Sequence, residues 1–144
     1  MDPSENSRRQ AVLVHTVLAA SLGAYVLLLL VLRRNPGSVP TPPSRNLLPL
    51  LWVALAQLAF SIWFGNAILR SRRSPPVVRL RRYFLMRGTL AEAIGLYGLL
   101  AGMLRAPAAY PVGLFAVAAF ALALSAPTRA AWDEAMRRAE SPGP

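Results

Sequence analysis

The chain is 144 residues long and 55% apolar, with 16 basic residues against 6 acidic ones, a single histidine and no cysteine. A mean hydropathy of +0.41, concentrated in uncharged blocks of about twenty residues, fits one membrane domain and excludes an ordinary soluble core. Without cysteine there is no disulfide framework or thiolate metal site, and one histidine cannot build a zinc cluster or a bis-histidine haem, so neither metal nor cofactor is expected.

The first predicted element is a membrane span over 11–32, inside the uncharged stretch between Arg9 and Arg33, which is long enough to cross about 30 Å of hydrocarbon. Ser7, Arg8, Arg9 and Gln10 ahead of it have the look of a twin-arginine export signal, with small residues at 20–24. The apolar run continues through Leu32, however, and Ala11 stands at the usual Phe position, so the segment reads as an uncleaved span. His15 lies one turn inside its start, where a lone histidine is tolerated rather than catalytic. Residues 35–44, with Pro36, Pro40, Pro42 and Pro43, cannot form a helix and predict an extended external connection. A second span follows over 47–69.

Arg70, Arg72, Arg73, Arg79, Arg81 and Arg82 then surround Pro75 and Pro76. No aromatic residues are interleaved with these charges for base stacking, so they predict contact with anionic lipid headgroups and not with nucleic acid. A third span, 83–104, is apolar apart from Arg87 and Glu92, and a shorter fourth, 108–126, is limited by Pro107 and Pro111. The tail over 128–140 places Trp132, Ala135, Met136 and Ala139 on one stripe, which predicts a short amphipathic helix lying on the cytoplasmic membrane surface.

These elements predict an all-α integral membrane four-helix bundle. Eleven arginines fall on the side of both termini and four on the other, so the termini are expected in the cytoplasm. Trp52, Trp63, Tyr83, Tyr110 and Trp132 fall towards span ends, as interfacial aromatics do. Because all 16 basic residues are arginine, the composition suggests a GC-rich bacterial coding sequence, and hence a multi-pass protein of the bacterial inner membrane with the bilayer as its first partner.

The third span carries the one polar constellation. Glu92 sits roughly 13 Å from the cytoplasmic end by helical rise, a depth at which an ionised acid is costly and should face protein or water. Ser21 and Ser61 fall near its level and Gln57 about one turn further out, which makes them candidate partners. Arg87, five residues away, is turned off the same face and should snorkel to the headgroups. Gly88, Ala91, Gly95, Gly98 and Gly102 recur at spacings of three and four, a seam that predicts close approach of another helix, from this chain, a second copy or a membrane-complex partner.

The stretch Leu90, Ala91, Glu92, Ala93, Ile94, Gly95, Leu96, Tyr97, Gly98, Leu99 resembles the ion-carrying helix of rotary ATPase proteolipids. The resemblance covers these ten residues and implies that Glu92 is a proton-carrying carboxylate, with Tyr97 as the tyrosine that follows it. The whole-chain pattern resembles small four-span proteins of the bacterial inner membrane. Two functions are therefore expected in competition. One is a non-enzymatic interaction or accessory subunit packed through its glycine seam, and the other is proton or cation translocation through Glu92. No nucleophile with a base is placed at the headgroup level, so lipid chemistry is not expected.

Overall fold

The computed structural model describes residues 3–34, 48–71 and 73–140, and within them the chain is all-helical. The helices are α1 (Pro3–Arg34), α2 (Leu48–Arg70), α3 (Pro76–Met103), α4 (Ala109–Leu124) and α5 (Arg129–Glu140). The predicted connection 35–44, Arg45 and Arg72 lie outside the described residues. Helices α1, α2 and α3 are each long and apolar enough to cross a membrane; α4 and α5 add a fourth span only if the pair, bent by 67°, counts as one. Large side chains on the outside, including Leu13, Leu27 and Leu30 of α1 and Trp52, Ile62 and Trp63 of α2, are exposed, a surface suited to lipid.

Helix boundaries depart from the span boundaries for local reasons. Counting uncharged residues starts the third span at 83, but α3 starts at Pro76, since arginine is a good helix former and proline fits the first helical turn. The preceding Pro75 is extended, with φ −54° and ψ 148°. At the far end Ala106 N–H donates to the Ala101 carbonyl and Arg105 N–H to that of Gly102, at 3.0 and 3.1 Å. This is the two-bond closure of a Schellman turn. Arg105 occupies its left-handed position with φ 53°, where glycine is the usual residue because a Cβ is strained. Helix α4 has 16 residues, about 24 Å of rise, and is shorter than the predicted 108–126. Pro111 is accommodated in its first turn, and Pro127 follows just past its end.

Helix α3 is the spine and touches each of the other four helices. Its small residues make that possible. A Cβ at Gly88 would lie 2.8 Å from Leu18 Cδ1, and Cβ atoms at Gly95 and Gly102 would overlap Leu22 and Leu29 outright. Leu18, Leu22 and Leu29 thus enter the notches of Gly88, Gly95 and Gly102, which repeat every seven residues as in knobs-into-holes packing. Gly98 faces the other way, 3.3 Å from Leu114 Cβ and the Phe115 ring of α4 if given a Cβ, while Ala91 is buried in the same core. The seam read from the sequence as one stripe therefore serves two neighbours, and both belong to the same chain.

The amphipathic tail also packs on its own chain. Trp132, Ala135 and Ala139 are buried in a second cluster with Ala11, Leu69, Leu80 and Phe84, with Met136 partly buried against it. Trp132 stacks on Phe84 at 5.4 Å between ring centroids, and its indole N–H donates to Ser4 Oγ at 3.3 Å. The expectation that this stripe enters lipid is corrected: α5 closes the end of the molecule where α1 begins, α2 ends and α3 begins. At the opposite end Arg33 donates to the carbonyl of Ala106 at 3.3 Å. Helices α1 to α4 accordingly run up and down in turn.

Candidate functional site

Positions 18, 22, 25 and 29 of α1 form a 4-3-4 stripe that faces α3, and Ser21 lies beside it. Helical side chains lean towards the N-terminus, so the ring of Tyr25 reaches back one turn to the level of Ser21. Both hydroxyls converge on Glu92 of α3. Ser21 Oγ donates to Glu92 Oε1, and Tyr25 OH donates to the same oxygen at 3.0 Å. Ser21 Oγ also lies 2.8 Å from the carbonyl of Leu18 on its own helix. Glu92 is half-buried, and among the described residues no arginine lies within ion-pair distance of it. Arg87 instead donates to Tyr83 OH at 2.6 Å and sits over that ring, 5.3 Å from its centroid.

On the α2 side of α3 a separate bridge forms. Gln57 donates through Nε2 to the carbonyl of Leu90 at 2.9 Å, and its Oε1 accepts from Tyr97 OH at 2.8 Å. Five residues separate Glu92 from Tyr97, about 140° around a helix of 3.6 residues per turn, so the two side chains cannot share a face. Sequence reasoning grouped Glu92, Tyr97, Ser21, Ser61 and Gln57 into one site. The structure keeps Ser21 with Glu92, moves Gln57 and Tyr97 into the α2–α3 bridge, and buries Ser61 within α2. It adds Tyr25, which depth arithmetic missed because it counts Cα positions and ignores the reach of a phenol. A usable signal was present: a second hydroxyl residue four positions after Ser21, near the α3-facing stripe.

The arginine-rich segment divides as well. Arg70, Arg73, Arg81 and Arg82 are exposed, as headgroup contacts require. Arg79 is not among them, since it is only 7% exposed. Its Nη1 donates to the carbonyl of Leu69 at 2.7 Å and its Nη2 to that of Ala139 at 2.8 Å, in the last turns of α2 and α5. The surface role expected for Arg79 is thereby corrected. A guanidinium projects several donors in a fixed fork, so one side chain can serve two carbonyls at once. Its Nε alone has no acceptor among the described residues.

Chemically, the α1–α3 cluster is a carboxyl group whose neighbours are neutral hydroxyls. Such a group can hold or release a proton without breaking an ion pair. No group of three or more metal-ligating His, Cys, Asp or Glu residues occurs among the described residues. Compared with known proteins, the chain matches no family model, no curated protein and no solved structure.

Proposed function

We propose that this chain is a multi-pass protein of the bacterial inner membrane, with four spans and both termini cytoplasmic, in which Glu92 takes up and releases a proton or small cation. In this reading it is a non-enzymatic accessory subunit that contributes an ion-binding carboxyl to a translocation path. The observation that carries the reading is the pair of hydroxyl donors, Ser21 and Tyr25, on one oxygen of Glu92, with α3 closely packed around it. A purely structural acid inside a membrane is ordinarily offset by a cation or hidden completely. Glu92 is neither. The glycine seam supports this close packing, because Leu18, Leu22, Leu29, Leu114 and Phe115 of the same chain fill it.

The test is reaction with a hydrophobic carbodiimide, which modifies protonated carboxyl groups in lipid. Labelling is expected at Glu92, slower as pH rises and abolished in Glu92→Gln, with ion flux into proteoliposomes lost in the same variant. Flux that survives Glu92→Gln would refute translocation through this group.

A further inference from the structure

The Ser21 hydroxyl faces two acceptors but owns one proton. It lies 2.8 Å from the Leu18 carbonyl of its own helix and within hydrogen-bond reach of Glu92 Oε1. One O–H can serve only one of them at a time, whereas the oxygen can also accept. We infer that Ser21 is a hydroxyl switch that lets Glu92 exist with and without its proton in one geometry, and that the site is built for a proton and not for a metal cation. This deepens the proposed function and rests on it.

The bonds balance in both states. With Glu92 ionised, Ser21 O–H and Tyr25 O–H both donate to Oε1. When a proton arrives on the carboxyl, the new O–H donates to Ser21 Oγ, and the Ser21 proton rotates to the Leu18 carbonyl. Tyr25 continues to donate to the carboxyl oxygen. The only group lost or gained is the proton, no heavy atom has to move, and Ser21 Oγ, Tyr25 OH and Glu92 Oε1 each keep a partner in both states. A fixed donor would favour the ionised form alone; a hydroxyl that reverses its role serves both.

The same oxygens are too few for a metal cation. Calcium and magnesium ions take about six or more oxygen ligands, waters included, so a site that strips their water must supply that many itself. Here the carboxylate, Ser21, Tyr25 and the Leu18 carbonyl supply five at most, and the amide oxygen of Gln57 and carbonyl of Leu90 belong to the separate α2–α3 bridge. Among the described residues no other ionisable side chain competes at this level. On α1, His15 lies towards the starting end, beside Gly88. On α3, Arg87 is bound to Tyr83 and Tyr97 to Gln57. Helix α2 holds only Arg70, at its end, and α4 only Tyr110, near its start.

The experiment uses the full chain in proteoliposomes and follows carbodiimide labelling of Glu92 against pH, in sodium chloride or in choline chloride. Replacing sodium by choline should leave the rate unchanged at every pH. Tyr25→Phe removes a donor that binds the charged form more strongly, so the pH of half-labelling should rise by about one pH unit, the equivalent of one charge-assisted hydrogen bond. Ser21→Ala removes a partner from both states and should move it in the same direction by less than half as much, with Ser21→Thr following the parent profile. Slower labelling in sodium at fixed pH would overturn the proton assignment. A Ser21→Ala displacement as large as that of Tyr25→Phe would overturn the switch. If the parent chain is unlabelled at every pH, the proposed function falls and this inference with it.

Discussion

Glu92, half-buried, and Arg79, buried, both lie on α3 with no opposite charge within ion-pair distance among the described residues, and they meet that problem in opposite ways. Arg79 cannot lose its proton, so its charge is permanent and must be met by something equally permanent. The carbonyls of Leu69 and Ala139 do so. They close two helices whose C-termini each carry roughly half a negative charge, so together they offset about one positive charge. Glu92 meets neutral hydroxyls, which can rotate, and in the proposed function its charge is optional. On that proposal the difference separates a fixed fastening from an exchangeable site: backbone dipoles hold the first in a single state, while side-chain hydroxyls tolerate two.

The largest expected effect tests that contrast directly. Arg79→Gln should cost about 3 to 4 kcal/mol, because two charge-assisted hydrogen bonds are weakened and two helix ends lose their cap. Glu92→Gln should cost less than about 1 kcal/mol, since the amide oxygen can accept from both Ser21 and Tyr25 as Oε1 does. Thermal unfolding in mild detergent measures both, and equal losses would make Glu92 as structural as Arg79.

A second comparison concerns how α1 is held against α3, which is what keeps Ser21 and Tyr25 on Glu92. Gly95→Leu should destabilise by about 2 to 3 kcal/mol by forcing Leu22 out of its notch. Gly23→Leu, on the same α1 but with nothing within 4 Å of the added Cβ, should stay within about 0.5 kcal/mol. Similar unfolding temperatures for the two variants would mean that the α1–α3 contact is not the tight one described.

The smallest effect belongs to the exposed face of α5. Hydrogen bonds from Arg137 and Arg138 hold the Glu134 carboxyl below its ordinary range. A lowered folded value means that the stabilisation is present above the unfolded value and is lost as pH falls through the folded one. Acid should therefore loosen α5 slightly, and high salt should erase the difference, because exposed pairs are screened. Amide exchange in α5, corrected for its intrinsic pH dependence, reads this. Glu134→Gln should show no such acid step beyond the parent's background.

Much of the fold was legible because lipid imposes a simple grammar: long uncharged runs must be helical where no water can satisfy the backbone. Hence α1, α2 and α3 were found, with ends displaced only where arginines or prolines join a helix without joining a span. Depth alone offered Ser21, Ser61 and Gln57 alike as partners of Glu92, and did not choose among them. Tyr25 and the parting of Gln57 and Tyr97 from Glu92 were not legible, because depth says nothing about azimuth until neighbouring helices are placed. The tail's stripe was correctly amphipathic, but amphipathicity does not distinguish a lipid surface from a protein one.

By itself the sequence determined that this is an all-helical chain with membrane-length apolar helices, an acid and a row of small residues on the third of them, and arginines gathered between the second and third. Those properties depend on composition and on periods of three and four, which are local. Only the tertiary structure decided which helix fills each glycine notch, that α5 packs on protein, that Arg79 fastens two helix ends, and that Glu92 meets two hydroxyls from α1. Each of these is a choice among surfaces with nearly equal apolar character, and it is settled by shape and hydrogen-bond complementarity between residues far apart in the chain.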